Sequence, residues 1–157
     1  MCNQWFCSIT PTPADTIVRV DRSVSPIYPD WVREVMHPKL ERTGPAVYGL
    51  ATVELLFWNG QMGGDWREQD VYENLISENM IEGCLGLSDG LAIQQMGVIV
   101  FPKLLAGKVM FLWKSVVRDN RGFLVVPYIV GNNDGVYISW HRLAIECQNY
   151  PAARFAS

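Results

Sequence analysis

A chain of 157 residues, 49% hydrophobic and 18% charged, has the length of one domain and the apolar mass for a real core, which excludes a disordered or low-complexity protein. Thirteen Lys and Arg against sixteen Asp and Glu leave a net charge of −3. That balance excludes a uniformly basic nucleic-acid coat and a polyanionic tail.

The opening residues, Met1 to Cys7, have neither the basic start nor the apolar stretch of a secretory signal. No apolar run approaches the ~20 residues of a membrane-spanning helix, so no membrane partner is expected. Four cysteines, at 2, 7, 84 and 147, are too few for a disulfide framework. A cytoplasmic location with reduced thiols is the expectation.

Residues 1–28 carry Pro11, Pro13 and Pro26 and read as an extended arm, with one short strand over Thr16–Val20. Tyr28-Pro29-Asp30 has the signals of a helix start, and Trp31, Val32, Val35 and Met36 would share a stripe. Pro38 stops that helix near His37. Thr52–Trp58 reads as a strand closed by Asn59-Gly60, followed by a loop with Gly63-Gly64. Asp70 and Glu73 have capping-box spacing and predict a helix through about Asn79. Ser88 reads as the cap of a further helix running past Met96. Over 97–105 periodicity does not separate helix from strand, and a helix to about Leu105 is favoured.

In the last third, 108–118, 123–130 and 136–140 are β-rich runs. They are joined by Asp119–Gly122 and Asn132–Gly135, whose Gly122 and Gly135 suit turns. This predicts a three-stranded antiparallel meander with Phe111 and Trp113 on its buried face and Lys114 on the other. Pro127 conflicts with the middle strand, because it offers no N–H to a ladder. The expected architecture is a single α+β domain over 1–157: a mainly antiparallel sheet with about three helices packed on one face.

The candidate nucleophile is Cys84, with His141 as its base, since cysteine chemistry needs a thiolate made by an imidazole or a helix N-terminus. Cys84 lies in an apolar stretch, and an inert packed thiol is the competing expectation. A metal would draw on Cys2, Cys7, Cys147, His37 and His141, but no second close ligand pair accompanies Cys2 and Cys7. No metal and no cofactor are expected. Around Gly60, Gly63 and Gly64 no Lys-Ser/Thr follows, and Asp65, Glu68 and Asp70 stand where phosphate would bind, so a nucleotide pocket is rejected. Those acids could serve as an acid/base pair, although helix capping accounts for them.

Charge is unevenly spread. Residues 1–99 hold six cationic against thirteen acidic side chains, and residues 100–157 hold seven against three. Lys108, Lys114, Arg118, Arg121 and Arg142 could therefore form a basic sheet face for single-stranded nucleic acid. The alternative is compensation by Asp65, Glu68, Asp70, Glu73, Glu78 and Glu82, or dispersal in solvent, and overall acidity favours it.

Tyr28-Pro-Asp-Trp-Val32, Trp113-Lys-Ser-Val-Val-Arg118, Val126-Pro-Tyr128 and Arg154-Phe-Ala-Ser157 resemble segments of small uncharacterised bacterial proteins. The resemblance implies a stand-alone bacterial protein and no activity, ligand or site.

The leading expectation is a small non-enzymatic domain that contacts another protein, because aromatic side chains are abundant and are favoured interface anchors. Two readings compete with it: a cysteine-dependent enzyme using Cys84 and His141, and a nucleic-acid binder using the basic residues.

Overall fold

The computed structural model describes residues 17–56, 67–97, 109–132, 135–144 and 152–155. Strands β1 (Ile17–Arg19) and β3 (Val47–Gly49) form an antiparallel ribbon. The main sheet contains β2 (Val32–Val35), β4 (Val53–Leu56), β5 (Val109–Phe111), β6 (Val117–Asp119), β7 (Leu124–Asn132), β8 (Gly135–Arg142) and β9 (Ala152–Phe155). All its pairings are antiparallel except β5 with β9.

The long strand β7 organises the rest. Val125 lies between Val117 and Arg142, and Val130 lies between Val109 and Tyr137. Hence β5 and β6 share one edge of β7, and β8 occupies the other. The sequential pairing β6–β7–β8 matches the expected meander, with Gly122 turning at φ 92°. The run 108–118 is not one strand, however. A 3-10 turn over Trp113–Ser115 leaves the ladder between β5 and β6.

That turn is where Pro127 fits. The Leu112 N–H donates to the Pro127 C=O at 2.9 Å, so the Pro127 backbone faces the β5–β6 edge. A strand residue aims its N and its C=O to the same side. The missing N–H therefore falls where Trp113–Ser115 has left the sheet, and no ladder bond is lost.

Helix α1 (Glu68–Ser77) and helix α2 (Leu87–Met96) cover opposite faces of the sheet. Val71, Tyr72 and Leu75 of α1 pack with Phe111, Trp113 and Val126. Ile93 of α2 packs with Met110, Ile129 and Val136, and the β1–β3 ribbon adds Val18 and Tyr48. Successive strand residues point to opposite faces, so adjacent Met110 and Phe111 serve different cores. This corrects the expectation of about three helices on one face: the described residues contain two α-helices, one per face.

Four local expectations also change. Residues 28–37 form a turn and then β2, because Val32-Arg-Glu-Val35 finds a ladder on β6, which outweighs the helix-start signals of Pro29 and Asp30. The segment 17–28 is no loose arm: Val18 and Val20 are buried in the core. Both helices begin earlier than expected. Asp70 is the third residue of α1 rather than its cap, and Ser88 is the second residue of α2 rather than its cap; the carboxylates of Asp70 and Asp89, each third in its helix, accept the N–H of the residue before that helix, Arg67 (2.8 Å) and Gly86 (2.9 Å). Helix α2 stops at Met96, where Gly97 takes φ 75°. The rest of 97–105, the arm before Ile17 and the Gly60–Gly64 loop lie outside the described residues.

Candidate functional site

A closed network of charge sits between α2, the β1–β3 ribbon and the Trp113–Ser115 turn. Asp89 accepts two bonds from Arg22 (2.8 and 3.3 Å) and one from the Tyr48 hydroxyl (2.8 Å). Lys114 is fully buried and donates to the Thr43 C=O at 3.3 Å. It lies beneath Gly44, whose Cβ, if present, would stand 3.4 Å from Nζ. Ser115 Oγ accepts the Leu87 N–H (2.6 Å) and donates to Glu41 (3.1 Å), which also accepts the Tyr28 hydroxyl.

Burial sets the ionisation of this network. Desolvation lowers the Lys114 pKa, opposed by the attraction of Asp89, and it raises that of Glu41. Tyr28 and Tyr48 are pushed upward, first by burial and then by the adjacent carboxylates Glu41 and Asp89. Lys114 and Ser115 are neighbours in sequence, yet Nζ turns to Thr43 and Oγ to Glu41 and Leu87. The group seals a turn against a helix, with the Lys114 Nζ enclosed against the Thr43 carbonyl.

The second buried group is on the α1 face. Cys84 is buried, and its thiol donates to the Met80 C=O at 3.6 Å. Desolvation pushes its pKa up to about 12, overcoming the attraction of Lys114 and Arg154. A thiolate nucleophile needs the opposite shift. His141 turns to Glu68 instead, with Nε2 3.7 Å from Oε1. His37 Nε2 meets the Tyr72 hydroxyl at 2.6 Å, and Tyr72 stacks on Trp113.

The basic residues do not form one face. Lys114 is in the core, where the broken strand alternation places it alongside Trp113. Arg118 donates to the Gly122 C=O (2.8 Å) and lies 3.5 Å from Glu34. Arg142 lies 3.9 Å from Asp119 and 4.7 Å from the Phe123 ring centroid. Arg121 is exposed at the β6–β7 turn. Lys108 is outside the described residues, as are Asp65, Cys2, Cys7 and Cys147. Compensation thus comes from Glu34 and Asp119, while Asp70 caps α1 and Glu73 accepts from Gln69. Among the described residues no group of three His, Cys, Asp or Glu gathers as a metal site.

What the molecule does present to solvent is an aromatic corner beside β8. Trp31 stands edge-on against Trp140 with ring centroids 5.0 Å apart, and Tyr28 tilts over Trp140 at 6.3 Å. Trp31, Trp140 and Tyr28 are half-buried, Ile27 is 90% exposed and Phe123 44% exposed. Arg142, two residues beyond Trp140 on the same face of β8, continues the patch with its cation over Phe123. Of these residues only Arg142 was a sequence candidate. Trp31 and Trp140 are 109 positions apart, and nothing local marks their meeting. No family model matches this sequence, and comparison with curated proteins and with solved structures gives no match.

Proposed function

We infer that the chain is a small protein-binding domain whose contact surface is the corner formed by Ile27, Trp31, Trp140, Phe123 and Arg142. The carrying observation is the edge-on Trp31–Trp140 pair, left half-exposed, with Arg142 of the same strand leading on to exposed Phe123. Trp, Tyr and Arg are the residue types that dominate binding energy at protein interfaces, and an indole pair fixed by its neighbour loses little entropy on docking. Cys84 and Lys114 are both enclosed by the fold, which weighs against the reading of Cys84 as an enzyme nucleophile. Pairing of Arg118 and Arg142 with acids weighs against nucleic acid. Among the described residues no helix is long and apolar enough to cross a membrane.

The test is capture from host lysate by the wild-type chain and by Trp31→Ala and Phe123→Ala, each with and without nuclease. Protein capture that resists nuclease and fails in both variants is expected. Capture that disappears with nuclease, or that the variants leave untouched, overturns the reading.

A further inference from the structure

The aromatic corner is tied to the interior through Tyr28, and that tie carries an inference resting on the protein-binding reading. The Tyr28 hydroxyl donates to one carboxylate oxygen of Glu41, and the other accepts from Ser115 Oγ at 3.1 Å. Ser115 Oγ in turn accepts the Leu87 N–H at 2.6 Å, so a line of hydrogen bonds runs from the start of α2 to a ring tilted over Trp140. On the other side of Tyr28, the Val32 N–H donates to the Pro29 C=O at 3.1 Å. This turn carries the anchorage three residues on, to the Trp31 ring that meets Trp140.

Stability alone does not call for a carboxylate at position 41. Glu41 is 3% exposed, and desolvation holds its pKa above the ordinary carboxylate value. Enclosing such a group is costly, and apolar side chains of similar volume often serve a core as well or better. What the carboxylate adds is direction, because its two oxygens take one hydroxyl from the buried turn and one from the corner. We propose that Glu41 is the positioning residue of the contact surface: it fixes the Tyr28 ring against Trp140, and Trp31 with it, in the arrangement a protein partner meets. A surface already held in its binding arrangement loses less freedom on docking. One that visits that arrangement only part of the time binds more weakly in proportion to the fraction.

Tyr28→Phe tests this, because it keeps the ring and removes the bond to Glu41. Two signals are read on the folded chain. One is the circular-dichroism couplet of the Trp31–Trp140 indoles, assigned by its loss in Trp31→Phe, and the other is capture of host protein. Both should fall in Tyr28→Phe and in Glu41→Leu, with capture ~10-fold weaker, as expected for losing a hydrogen bond to a charged group. The double variant should be no weaker than Glu41→Leu alone, since both changes break the same bond. Glu41→Gln keeps a carbonyl oxygen for the Tyr28 hydroxyl and should recover most of both signals. A purely structural role would lower the melting temperature and leave the couplet intact below it. An unchanged couplet in Tyr28→Phe, or losses that add in the double variant, overturns the inference. A couplet that depends on Tyr28 and Glu41 without any capture by the wild type sinks the binding reading and leaves the tie to the ring pair standing. Capture lost in Trp31→Ala but untouched in Tyr28→Phe does the reverse.

Discussion

Arg22 and Asp89, 67 residues apart in the chain, meet in a two-pronged ion pair at 2.8 and 3.3 Å. The Asp89 side chain is completely enclosed and that of Arg22 nearly so. The same carboxylate holds the Gly86 N–H and the Tyr48 hydroxyl, so it ties the start of α2 to the ribbon. Removing one partner of such a pair leaves an uncompensated buried charge, a loss of about 3–5 kcal/mol. Asp89→Ala is expected to fall in that range by urea unfolding. A loss below ~1 kcal/mol, the value of an exposed pair, would show the site to be wet.

Gly90 sets two effects against each other. Ala in the middle of α2 would gain ~1 kcal/mol of helix propensity over Gly. A Cβ at this position, however, would come within 2.5 Å of Leu112 Cδ1 and 3.5 Å of Ile138 Cδ1. Leu112 is fully buried, and forcing it aside costs about 1–3 kcal/mol. Gly90→Ala should therefore destabilise, read as a lower melting temperature. A rise would mean that Leu112 has room to move.

Thiol chemistry is the third expectation. With its pKa pushed up to about 12, Cys84 stays protonated at pH 8 and inaccessible to a thiol reagent. Cys84→Ala should leave the fast-labelling thiols unchanged in number and remove one that reacts only after unfolding. Loss of a fast-labelling thiol in that variant would restore the cysteine-enzyme reading.

The fourth concerns acid. Burial holds the His37 pKa below its ordinary 6.5, so between the two values the unfolded chain binds the proton that the folded one refuses. The stability linked to His37 is complete above about 6.5 and is lost as pH falls through the folded value. Wild type should lose more melting temperature between pH 7 and pH 5 than His37→Gln does. Equal losses would remove His37 from the acid response.

Where local pattern and tertiary demand agree, the sequence was a sound guide. The β-rich run at β4, the Asp119–Gly122 turn and the apolar side of α1 are all legible, because each is decided within a few residues. Lys114 was misjudged through the assumption that alternation continues from 108 to 118. Apart from Lys114 and Ser115 themselves, every residue from Val109 to Val117 is apolar, which is the pattern of a segment buried on both faces. The β2 segment was read as helix because its ladder partner lies some eighty residues downstream. The aromatic corner was invisible for the same reason: Trp31 acquires its role only when Trp140 arrives.

The C-terminal strand gives the fold a timetable. Arg154 reaches Glu54 across 100 residues of chain, and β9 supplies partners to both β4 and β5. Until β9 is made, β4 has no ladder among the described residues, and closing so long a loop must precede any reward from its contacts. β1, β3 and α2 can gather sooner around Val18, Tyr48 and Ile93. Completion of the sheet is thus a late event, and a nascent chain halted before Ala152 would carry a β4 edge still waiting for its mate.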